Sequence, residues 1–93
     1  MKVNICGLTY IVDEKEDVFN SDATHFGQIT YTESKILINK DITEDKKKET
    51  LCHEILHGIL HHLGEFELND NESFVSRLAN GIAQSFDIKY IEE

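Results

Sequence analysis

A chain of 93 residues makes one small domain, near the size at which a single hydrophobic core becomes marginal. Hydrophobic residues are 40% and charged residues 29%, a globular rather than a disordered balance, and no proline is present to build a linker. With 18 acidic against 9 basic residues the formal charge is −9, so no long basic face is expected for a phosphate backbone or an anionic membrane.

The N-terminal third reads as strands. Lys2 to Cys6 alternates in polarity, Gly7 punctuates, and Leu8 to Val12 is rich in β-branched and aromatic residues. Asp13 to Asn20 is acidic and reads as a loop or short helix. Gly27 to Thr32 and Lys35 to Asn39 then have the spacing of a hairpin joined through Glu33 and Ser34.

The second half reads as helices. Asp41 or Thr43 can cap the first, with Glu44 three residues after Asp41 as in a capping box. From Lys47 to Leu63 only Gly58 interrupts, and Gly64 is a natural stop. Leu51 to Leu60 is apolar nearly all round, so this helix is expected to be buried. A second cap at Asn69 or Asp70 precedes a helix with the stripe Phe74, Val75, Leu78, Ile82 and Phe86. Ile88, Tyr90 and Ile91 could dock as a terminal strand. Strands followed by helices define an α+β class: a small antiparallel or mixed sheet packed on two C-terminal helices, in one domain over 1–93.

Lys46-Lys47-Lys48 follows several acidic residues and reads as a solvated helix face. The two cysteines, Cys6 and Cys52, are too few for a disulfide framework and read as buried, reduced thiols. No leader-like apolar run opens the sequence, and no stretch approaches the ~20 apolar residues of a membrane span. A cytoplasmic location is expected.

His53-Glu54-Ile55-Leu56-His57 is an HExxH pattern on a helix. Residues four apart lie one turn apart on one face, about 6 Å along the axis. Two imidazoles so placed can both reach one Zn²⁺ at ~2.0–2.1 Å. Glu54 is rotated by about 100° from His53, so it is free to take a proton from the attacking water and pass it to the leaving amine. Two histidines and a glutamate in an otherwise apolar helix are costly without such a role.

A catalytic zinc needs a third protein ligand and an open position. Glu65, Glu67, Asp70 and Glu72 are the downstream carboxylates. Glu72 is favoured because it opens the second helix and shares a face with the small residues Ser76, Ala79 and Ala83, which permit close helix approach. It could also be the N3 member of a capping box started by Asn69. Asp70 is the reserve ligand, and Cys52, beside His53, could close a four-ligand site.

HExxH followed by a carboxylate on the next helix resembles the gluzincin metallopeptidases. With Leu78-Ala79-Asn80 on that helix, residues 27 to 86 resemble the ImmA/IrrE metallo-endopeptidases found in phages, mobile elements and bacteria. The resemblance implies a minimal zincin-like fold, zinc ligands His53, His57 and Glu72, and Glu54 as general base. The family's ligand glutamate usually stands three residues before the alanine; here Ser76 holds that place and Glu72 lies one turn earlier.

A second register overlaps the first. His57, His61 and Glu67, with Gly64 between, are similar to the metzincin pattern and to the YbeY endoribonuclease motif. His53 and His61 lie about 12 Å apart along the axis, so one ion cannot use both. Outside that register His61 and His62 read as surface residues. His25, Tyr31 and Tyr90 are candidate oxyanion stabilisers.

Three functions follow as expectations. The first is a zinc endopeptidase whose Gly27–Asn39 hairpin offers an edge strand to a protein or peptide substrate. The second is a zinc-binding interaction protein without catalysis. The third is an RNA hydrolase working through His57, His61 and Glu67.

Overall fold

A computed structural model describes residues 1–16 and 26–90. Its first element, β1 (Lys2–Ile5), turns back into β2 (Leu8–Lys15) through Cys6 and Gly7. Both turn residues have positive φ, 50° and 85°, as a two-residue hairpin of the primed type requires. The turn carries Cys6 out of the strand alternation and exposes it, which corrects the expectation of a buried thiol; Cys52 is buried as expected.

β2 runs on through Asp13, Glu14 and Lys15, where a loop or short helix was expected. The charges are tolerated because they have partners: Asp13 meets Lys35 at 3.4 Å and Glu14 meets Lys47 at 3.1 Å. Lys47 is buried, not part of a solvated face, and a buried ammonium requires such a partner.

β3 (Gly27–Thr30) and β4 (Lys35–Asn39) form the expected antiparallel hairpin. β2 pairs β4 in parallel, so the sheet is mixed, in the order β1-β2-β4-β3, with β3 at an edge.

The helix α1 (Glu44–Leu63) starts at Thr43, whose hydroxyl accepts from the Lys46 N–H at 3.2 Å. Thr43, not Asp41, is therefore the cap. Gly64 ends α1 in the left-handed conformation at φ 77°, donating its N–H to the His61 carbonyl. One face of α1 joins Leu51 to the sheet residues Ile5, Tyr10, Val12, Ile36 and Ile38. The other packs Cys52, Leu56 and Leu60 on Val75 and Ala79. Burial on both sides is why this helix is apolar nearly all round. Each large side chain so enclosed contributes roughly 1.5–3 kcal/mol.

A one-turn helix, α2 (Phe66–Asp70), precedes α3 (Glu72–Ser85), so the described residues form three helices where two were expected. Asn71 caps α3 through its side chain, which accepts from the Phe74 N–H at 3.1 Å; neither Asn69 nor Asp70 is the cap. The buried face of α3 is Val75 and Ala79, flanked by Phe74 and Ile82, while Leu78 and Phe86 of the expected stripe are exposed. Residues 87–90 form no strand, although Tyr90 docks on the first core cluster; Ile91 lies outside the described residues. The architecture is thus sheet, α1 and α3 in layers, an α+β fold. Among the described residues no helix is long and apolar enough to cross a membrane.

Candidate metal centre

The helical period sets the first two groups. On α1, His53 and His57 stand one turn apart, and their Nε2 atoms are 3.1 Å from each other. The third group arrives because α3 folds back along α1. Glu72 is the first residue of α3, not the N3 member of a capping box, and its carboxylate spans both rings. Oε1 lies 2.7 Å from His57 Nε2 and Oε2 lies 3.2 Å from His53 Nε2.

Among the described residues, His53, His57 and Glu72 are the histidine, cysteine and acidic side chains whose ligand atoms converge, all within 4.8 Å of one another. Tetrahedral donors at ~2.0–2.1 Å from one ion would stand about 3.3 Å apart, close to the observed spacings. Two imidazole nitrogens and a carboxylate oxygen are also a donor set suited to zinc. The residues present therefore fit a small divalent cation. Burial pushes the His53 imidazole below its ordinary pKa, against the opposing pull of Glu72, which favours the neutral ring that ligation requires.

Glu54 lies on the neighbouring face of α1 and is only 6% exposed. Burial raises its carboxyl to about pKa 7, with His57 opposing and Glu72 adding to the rise. The edge strand covers it closely. A Cβ on Gly27 would sit 2.6 Å from Thr50 Cγ2 and 3.5 Å from Glu54 Cγ, so glycine lets β3 lie this near to the acid.

These groups open into a cleft of about 910 Å³ bounded by β3, α1, α2 and the start of α3. Phe26, Gln28, Ile29, Tyr31, His61 and Phe66 are among the residues that line it. The His61 ring stacks on Tyr31 at 3.7 Å, and His62 meets the hydroxyl of the fully buried Tyr10 at 2.7 Å. Both histidines are thus half-buried and engaged, not plain surface residues. His61 and Glu67 stand outside the converging group, so the register of His57, His61 and Glu67 is not assembled. Asp70 lines the cleft but is not part of the group, and Cys52 faces the α3 core with Leu56 and Val75.

Of the oxyanion candidates, His25 lies outside the described residues. Tyr90 is packed on the sheet core, near the Lys47 ammonium. Tyr31 borders the cleft, but its hydroxyl donates to the His57 carbonyl at 3.4 Å and accepts from Asn69 Nδ2 at 3.2 Å. Asn69 also sets its Oδ1 2.6 Å from His57 Nδ1. Its place behind His57 was missed because an asparagine ahead of a helical stripe reads as a cap. The nearby Asn71, which does cap, was the available signal that Asn69 was free for another task.

Residues 11–92 match the model of peptidase family M78, described as the IrrE N-terminal-like domain. No curated protein and no solved structure matches significantly. The matched segment runs from β2 to beyond α3 and includes every member of the converging group, and on that match the chain belongs to the IrrE N-terminal-like domain family of peptidases.

Proposed function

We propose that this protein is a zinc-dependent endopeptidase of minimal zincin type, with His53, His57 and Glu72 as metal ligands and Glu54 as general base. The observation that carries the proposal is the convergence of two Nε2 atoms and one carboxylate within 4.8 Å, beside a buried acid and at the floor of an open cleft. Among the described residues three protein donors converge, which leaves a coordination position free, as a catalytic site needs and a closed structural site lacks.

When bound, an ion of this kind acts as a Lewis acid and makes water available as a nucleophile near neutral pH. The remaining work falls to the chain. Glu54, buried beside the converging donors, would accept the proton of the attacking water and deliver it to the leaving amine. The edge strand β3 offers main-chain groups to an extended peptide, which would lay its scissile bond along the cleft above α1. Phe26, Ile29 and Phe66, which line the cleft, supply apolar contact for side chains of that peptide.

This reading gives protein or peptide substrates and favours neither nucleic acid nor membrane as a partner, in keeping with the net charge of −9. The RNA-hydrolase reading lacks support because its three ligands do not converge. A cytoplasmic enzyme of the phage or bacterial kind is the setting we infer.

The test is metal dependence. The purified chain, offered a mixture of unfolded proteins and peptides, is expected to cleave with zinc bound, to stop after chelation, and to recover on addition of one equivalent of zinc. Mass spectrometry of the products reads the result. Cleavage indifferent to chelation would refute the proposal. Zinc uptake with the whole mixture left intact would favour a binding module built on the same scaffold.

A further inference from the structure

On the reading that His53, His57 and Glu72 hold zinc, we propose that Asn69 is a positioning residue. Its side-chain amide, itself fixed by Tyr31, holds the His57 ring as the tautomer protonated at Nδ1 and leaves the Nε2 lone pair for the ion.

Every donor in this small circuit meets an acceptor. An amide oxygen can only accept, so the proton in the 2.6 Å contact between Asn69 Oδ1 and His57 Nδ1 comes from the ring. An amide nitrogen can only donate, and Asn69 Nδ2 is aimed at the Tyr31 oxygen at 3.2 Å. The single Tyr31 proton then goes to the backbone carbonyl of His57 itself, at 3.4 Å. The circuit therefore starts and ends on the same residue, and with the amide as found each of its protons has an acceptor. Stacking of His61 on the Tyr31 ring, 3.7 Å apart and within 3° of parallel, holds the phenol in its plane.

The consequence for the site is a choice between two states of one ring. With Asn69 as found and an ion bound, the His57 Nε2 lone pair would be directed at the point where Glu72 and His53 also converge. With the amide reversed, Nδ1 would accept, the ring proton would sit on Nε2, and the nitrogen would no longer be a ligand. Outer-sphere groups that fix a ligating histidine typically carry 10–100-fold in metal affinity. Asn69 sits on the one-turn helix α2, whose Asn69 N–H donates to the Glu65 carbonyl at 2.9 Å. That gives α2 a purpose: it carries the amide to the back of His57.

Zinc affinity, measured by competition with a chromophoric chelator, tests the proposal without any substrate. Asn69→Leu is expected to bind zinc about 10–100-fold more weakly while keeping the wild-type circular dichroism, and Asn69→Ala carries the same expectation if the leucine variant does not fold. Asn69→Asp, which still accepts from Nδ1, should return affinity to within about threefold of wild type. In the zinc-loaded protein the His57 Nδ1 proton should be visible by ¹⁵N NMR as protected from exchange, and lost to exchange in Asn69→Leu and Tyr31→Phe. A folded Asn69→Leu or Asn69→Ala chain with zinc affinity within about twofold of wild type would overturn the role of Asn69 alone. Failure of the wild-type chain to take up zinc would overturn the metal reading as well.

Discussion

Glu54→Gln is expected to lower cleavage by about 10²–10⁴-fold while leaving zinc uptake intact, because the amide cannot accept the proton of the attacking water. The same substitution is expected to stabilise the metal-free chain. Glu54 is buried, and its carboxyl is raised from 4.5 to about 7 in the folded state. A raised acid contributes stability that is fully present below the unfolded pKa and is lost as pH rises through the folded one. Between those values folding must retain a proton that the unfolded chain releases. The glutamine has no proton to lose, so its advantage grows over that window and reaches on the order of 3 kcal/mol above about pH 7. Urea unfolding of both metal-free chains at about pH 5 and about pH 8 measures it. A variant that is less active yet no more stable at the higher pH would mean that Glu54 is solvated, and its burial beneath β3 would then be wrong.

Zinc itself is expected to stabilise the wild-type chain strongly. A ligand that binds only the folded state adds about 2.7 kcal/mol at a hundredfold excess over its Kd. For a domain of this size that corresponds to a rise in melting temperature of roughly 10–20 °C. His57→Ala removes the donor nearest Glu72 and should abolish the rise, as should His53→Ala. His61→Ala and Glu67→Ala should retain it, because neither side chain belongs to the converging group. Thermal melts with and without zinc distinguish the two registers. A rise preserved in His53→Ala but lost in His61→Ala would transfer the site to the alternative one.

The legible part of this protein lay where one helical period carried both structure and chemistry. His53 and His57 could be assigned to one face because four residues make about one turn, and a buried helix made their cost evident. The β3–β4 hairpin was legible from its spacing through Glu33 and Ser34, and Gly64 from the stop it imposes. The rest depends on contacts between elements remote in sequence. Asp13 to Lys15 continue β2 because Lys35 and Lys47, more than twenty residues away, neutralise the charges; local composition carries no trace of this. Phe66 to Asp70 make a single turn, too short for a periodic pattern to emerge. Glu72 could be favoured but not separated from a cap, since the same acid suits both roles near a helix start. The departure from the family spacing is absorbed by position: Ser76 lines the cleft, and Glu72, one turn earlier, is the residue that reaches both imidazoles. Asn69 was hidden for the opposite reason, because a familiar local role explained it away.

The most direct test of the metal centre is the zinc K-edge absorption spectrum of the loaded wild-type chain. One zinc per chain is expected, with scattering from two imidazoles, further oxygen ligands and no sulfur. A spectrum with a sulfur ligand from Cys52, or with a single imidazole, would contradict the assignment of His53, His57 and Glu72.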